Sequence, residues 1–181
     1  MDTSGMSAEQ ATTIERLRSA RAAFDELLVA VGTDRMTQPI DAGGWSVKDI
    51  VAHITSYERW TTAHLRSVLR GEPPTVMEQY GTVEPPEGAD PFDLDTLNAS
   101  MHERDRSLTL DEVMHTAGAT FADLVDVLLS LPPEAFSQEG VLDWAGDDAL
   151  PRVIDAQIID HYAQHEPAIR DWIARDEGLP V

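Results

Sequence analysis

The 181 residues carry 33 aspartates and glutamates against 13 lysines and arginines, a formal net charge of -20, with 42% apolar residues and no cysteine. That balance suits a single domain over residues 1–181 with one buried core. It disfavours nucleic acid and anionic membrane surfaces as partners, because like charges repel. The missing cysteine rules out disulfides, thiolate metal ligands and a cysteine nucleophile. The longest strongly apolar stretch, Leu27 to Val31, is too short to span a bilayer. The acidic start MDTSGMSAEQ lacks the apolar segment of a secretory signal, so the expected location is cytoplasmic.

Helical periodicity recurs along the chain and sustained strand alternation does not. The first helix is predicted over about Ala8 to Val31, with Ile14, Leu17, Phe24, Leu27, Leu28 and Val31 in one stripe, ended by Gly32. The second is predicted to start after Ser46, whose capping-box partner is Asp49, and to run to about Arg70 before Gly71, Pro73 and Pro74. Gly71 to Pro91 holds five prolines and several acids and reads as a long, mobile crossover loop. A weaker helix, Leu94 to Ser107, leads into the third main helix. That helix is capped by Thr109 and Glu112 and stopped where Leu131 meets Pro132 and Pro133. The loop from Pro132 to Leu150 contains Trp144 and is expected to pack back on the bundle. The last helix runs from about Pro151 to Asp176. The fold class predicted is therefore all-α: a four-helix bundle with a long crossover loop between helices two and three.

The histidines carry the chemistry. Spaced at 100° per residue, Ile154, Ile158, Ala168 and Trp172 define the apolar line of the last helix, and His161 and His165 fall on it, one turn apart. A buried histidine needs partners for both ring nitrogens, and one shared metal ion would serve both residues. On the second helix His53, Tyr57, Trp60 and His64 form a stripe along the edge of an apolar arc, which suits residues lining a cleft. From spacing alone two readings stay open. Either His53 completes a three-histidine metal site with His161 and His165, or it bonds a carbonyl or carboxylate at a helix interface. His115 and His102 read as solvated. Glu166 is a candidate general base or a hydrogen-bond partner of an imidazole. Phosphate loops, zinc-protease motifs and nucleophile elbows are absent.

GGWSVKDIVAHITSYERW, Gly43 to Trp60, resembles the second-helix signature of the DinB/YfiT-like four-helix bundle superfamily, and DHYAQHEPAIRDW, Asp160 to Trp172, resembles its last-helix signature. The last helix and its acidic third-helix lead-in look most like the ClbS/DfsB-type branch. The resemblance implies a DinB-like bundle with a divalent metal, zinc or nickel, on His53, His161 and His165; Tyr57, Trp60 and His64 are expected, from their stripe on the second helix, to line the substrate cleft. It implies a metal-dependent enzyme acting on a small electrophile by thiol transfer or hydrolysis, in detoxification, with a low-molecular-weight thiol as a possible co-substrate. The alternatives are a metal-free, ClbS/DfsB-like protein that binds or hydrolyses a genotoxic small molecule, and a non-catalytic dimeric bundle. A homodimer is the expected assembly. Pro167 departs from the pattern: it removes a backbone donor two residues after His165 and is expected to kink the helix there.

Overall fold

A computed structural model describes residues 6–41, 43–75, 78, 94–142 and 145–177. Most of the Gly71–Pro91 loop, and Trp144, lie outside the described residues. The elements are α1 (Ala8–Val31), α2 (Val47–Arg70), α3 (Leu94–Asp105), α4 (Leu110–Ser130), a short 3₁₀ turn (Pro133–Phe136), α5 (Leu150–Ile154) and α6 (Asp160–Glu177). A π-helical turn, Asp155–Ile159, joins α5 to α6 without a break. The described residues form the expected all-α helical bundle, and no described helix is long and apolar enough to cross a membrane.

Local chemistry fixes the helix ends. The Ser46 hydroxyl accepts from the Asp49 amide while the Asp49 carboxylate accepts from the Ser46 amide, and Thr109 and Glu112 repeat the arrangement at the start of α4. Each box satisfies two amide donors that the first helical turn leaves without carbonyls. Gly32 and Gly71 close α1 and α2 at φ of 79° and 70°, a region that side chains with a Cβ avoid.

The core joins α1, α2, α4 and the α5–α6 run through Leu17, Phe24, Leu65, Leu124, Leu128, Ile154, Ile158 and Ile169, all buried. α2 packs most extensively against α4. Lys48, the sole lysine of the chain, ties the start of α2 to the α3–α4 turn: its ammonium donates to the carbonyls of Arg106 (2.8 Å) and Leu108 (3.0 Å). Between α1 and α2 the chain doubles back. Ile40 N–H bonds the Trp45 carbonyl at 2.8 Å and Lys48 N–H bonds the Met36 carbonyl at 2.8 Å, which brings Trp45 against the first turns of α2.

The π-helical turn corrects the expected face of the last helix. A π turn holds about one residue more than an α turn, so the apolar line shifts by one position beyond it. Tyr162 and Ile169 take the centre of the core, and Ala168, expected there, is exposed. His161 and His165 thereby stand beside the core line instead of on it. The helix continues through Pro167.

Candidate metal centre

His53 projects from α2 and His161 and His165 from α6, and one ring nitrogen of each lies within 4.8 Å of the other two. His53 and His161 are buried and His165 is half-buried. The three rings pack edge to face or tilted, with centroids 4.9 to 5.2 Å apart. Nε2 of His53 and Nε2 of His161 approach to 3.0 Å. Nδ1 of His53 is buried with no hydrogen-bond partner among the described residues. The cluster does not satisfy itself, since a buried imidazole without a partner on one nitrogen carries an uncompensated desolvation cost.

Electrostatics keep these rings neutral. Burial, and then the His165 ring, pull the His53 pKa down to about 4. Burial, and then both neighbouring imidazoles, pull His161 down to about 3. Burial also lowers His165. Neutral imidazoles present the lone pairs that a divalent cation requires, and three of them are a familiar zinc donor set. On donor type, spacing and protonation the residues fit such an ion.

The other expected site residues separate. Tyr57 packs its ring against His53 (5.0 Å) and His161 (4.7 Å) and donates its hydroxyl to Asn98 Oδ1 on α3 at 3.0 Å. Burial raises its pKa. Trp60 and His64 pack on each other farther along α2, 4.1 Å between centroids. His64 lines a cavity of about 510 Å³ with Ser67, Val68 and Leu142. Glu166 accepts from Arg170, one turn on along α6, at 3.1 Å. His115 is exposed, as expected. His102 is not simply solvated: it is half-buried, stacks on Trp45 at 4.8 Å, and holds Nε2 3.9 Å from Asp49.

Sequence reasoning passed over two features. Trp45 sets its indole edge-on to His53, 5.5 Å between centroids, so it forms part of the wall of the cluster. Behind the cluster lies a polar knot that ties three helices together. Glu58 of α2, fully buried, accepts a short hydrogen bond from the Tyr162 hydroxyl of α6, and Arg21 of α1 reaches the same carboxylate oxygen at 3.4 Å. Tyr162 in turn stacks on Phe24 of α1 at 5.2 Å. Burial raises the Glu58 carboxyl to about 7 against the lowering pull of Tyr162 and Arg21. One signal for the knot was present in the sequence. Glu58 lies four residues after Ile54 and three before Thr61, so it interrupts the apolar arc of α2 with an acid.

Comparison with known proteins agrees with the fold. One solved structure, titled "Sibling Lethal Factor Precursor - DfsB", superposes with a TM-score of 0.75 at 16% identity, covering 96% of this chain and 99% of its own. An uncharacterised protein from Escherichia coli UTI89 superposes with a TM-score of 0.71 at 13% identity, covering 97% and 98%. At such identities the likeness is one of fold. No curated protein matches the sequence. A family model, the mycothiol maleylpyruvate isomerase N-terminal domain, matches residues 17–167, a span that includes all three clustered histidines, the whole of α2 and the first part of α6. The chain is therefore a member of the mycothiol maleylpyruvate isomerase N-terminal domain family, within the DinB/YfiT-like bundles.

Proposed function

We propose that the protein is a metal-dependent enzyme that acts on a small electrophilic molecule by thiol transfer or hydrolysis. The observation that carries this reading is the convergence of His53, His161 and His165, buried and neutral, from two different helices. A zinc or nickel ion held by them would supply a Lewis acid and lower the pKa of a water or thiol beside it. The protein's own groups do the rest. Burial keeps the imidazoles deprotonated. The Tyr57 ring packs against two of them and keeps its hydroxyl protonated as a hydrogen-bond donor. Trp45 shields the His53 side from water, which strengthens every charge interaction in the site. Glu166, paired with Arg170, is proposed as general base only on its place beside His165 in sequence.

The test is metal analysis of protein purified without a histidine tag, followed by assay of an electrophile with and without a low-molecular-weight thiol. Stoichiometric zinc or nickel, lost in His161→Ala together with turnover, is the expected result. The resemblance of the last helix and of the third-helix lead-in to the ClbS/DfsB-type branch leaves a second reading, a metal-free protein that binds or hydrolyses a genotoxic small molecule. Turnover that survives complete removal of metal would select it.

A further inference from the structure

The stripe on α2 does not end at the histidine cluster. At about 100° per residue, His53, Tyr57, Trp60, His64 and Val68 fall within one sector of roughly 100° around the helix. That sector lies opposite Thr62 and Arg66, the second of which is paired with Asp123 of α4. Tyr57, Trp60, His64 and Val68 are all half-buried, the exposure of a groove floor, which is neither core nor open surface.

The facing wall comes from the later part of the chain, which runs antiparallel to α2. At one end His161 meets His53 at 3.0 Å. Tyr162 then bonds Glu58, and the π turn packs on α2 beyond it. At the far end Val141 and Leu142, ahead of α5, line one cavity together with His64 and Val68. The same two strips of chain therefore flank the cluster at one end and the cavity at the other. From His53 to His64 the helix rises about 16 Å.

The cavity holds about 510 Å³, a size that suits a small-molecule ligand. Val68, Val141 and Leu142 give it apolar walls, extended by Pro73 and Pro74. Ser67 also lines it, but its hydroxyl already donates to the His64 carbonyl at 2.6 Å. Glu72 in the lining, within a chain of net charge -20, repels a carboxylate or phosphate.

We infer that this cavity takes the tail of the substrate whose reactive end lies at the histidine cluster, so that the substrate is an electrophile with an uncharged apolar chain. The inference rests on the metal-centre reading above. An extended chain advances about 1.2 Å per atom, so about 13 atoms bridge the cluster and the cavity. Each methylene that the cavity then buries strengthens binding about threefold to fourfold.

The test uses alkyl hydroxamates, whose head chelates zinc and whose chain length can be varied. Calorimetry gives the affinities of acetohydroxamate, octanohydroxamate and dodecanohydroxamate for the zinc-loaded protein, and backbone-amide NMR locates each. Dodecanohydroxamate should bind about tenfold or more tighter than octanohydroxamate, and it alone should shift residues 64, 68 and 141. Val141→Asp, which makes the wall polar, and Val68→Phe, which fills the cavity, should each remove that gain. Both variants should bind acetohydroxamate as the wild type does. Affinity that ignores chain length, or a gain that survives both variants, would overturn the inference and leave the metal reading standing. Failure of zinc to bind would overturn the metal reading instead, and the cavity is then judged on the metal-free protein. Shifts at residues 64, 68 and 141 with dodecanohydroxamate, abolished in both variants, would support the tail pocket. Their absence would overturn the inference as well.

Discussion

Tyr162 donates its phenolic hydrogen to Glu58 across the α2–α6 interface, and the two residues directly follow His161 and Tyr57, which face the metal cluster. The pair is thus a buried cross-link between the two ligand-bearing helices. Tyr162→Phe should preserve the stack on Phe24 and leave the Glu58 carboxyl short of a partner. A loss of about 1–3 kcal/mol is expected, the usual cost of an unsatisfied buried polar group. Urea denaturation at pH 7 measures it. An unchanged midpoint would mean that the contact is dispensable.

The same carboxyl sets a pH dependence. Its folded pKa, about 7, lies above its ordinary value of 4.5. The folded state therefore holds a proton that the unfolded state has released, and the stabilisation is complete below about pH 4.5 and is lost as pH rises through about 7. Glu58→Gln removes that loss. The stability difference between Glu58→Gln and the wild type should shift in favour of the variant from pH 5 to pH 8, read as paired denaturation midpoints. A pH-independent difference would place the Glu58 pKa at its ordinary value.

The histidines give the opposite slope. Their folded pKa values, about 4 for His53 and about 3 for His161, lie below the ordinary 6.5. Their contribution is present above about pH 6.5 and is lost as pH falls through those values. Added zinc or nickel, which needs the neutral rings, should stabilise the fold by about 2.7 kcal/mol at a hundred times Kd at pH 7.5, and by less as pH falls. His161→Ala should abolish most of this, and His115→Ala, on the exposed face, should change nothing. A melting curve of chelator-stripped protein that ignores both metals would end the metalloenzyme reading.

Ile158, buried in the π turn, should cost about 2–5 kcal/mol when truncated to alanine, the usual range for emptying a core position. Thermal or urea denaturation checks it. A midpoint equal to that of the wild type would mean that the π turn tolerates a cavity.

Much of the architecture is legible because it depends on local chemistry. Ser46 with Asp49 and Thr109 with Glu112 mark helix starts through contacts made within four residues, and the apolar stripes of α1, α2 and α4 repeat at the helical period. The histidine cluster is partly legible for the same reason: His161 and His165 share a face in any helix, and His53 begins the stripe on α2. What escapes depends on distance or on broken periodicity. Arg21, Glu58 and Tyr162 come together from three helices, and no local pattern pairs them. His102 looked solvated because its stacking partner, Trp45, lies 57 positions earlier in the chain. Ala168 was misplaced because a constant 100° step fails once the backbone enters a π turn.

That turn also makes the site sensitive to length as well as to residue type. Each residue of an α-helix turns the chain by about 100°, so forcing positions 155 to 159 into α geometry with their number unchanged would swing everything after them by about that angle. His161 and His165 would then leave their alignment with His53 although every histidine would still be encoded. Loss of one residue as the π turn reverts to an α turn would instead keep the alignment. A relative with the same three histidines, one residue fewer between Leu150 and Asp160 and a regular α-helix there would therefore keep the site.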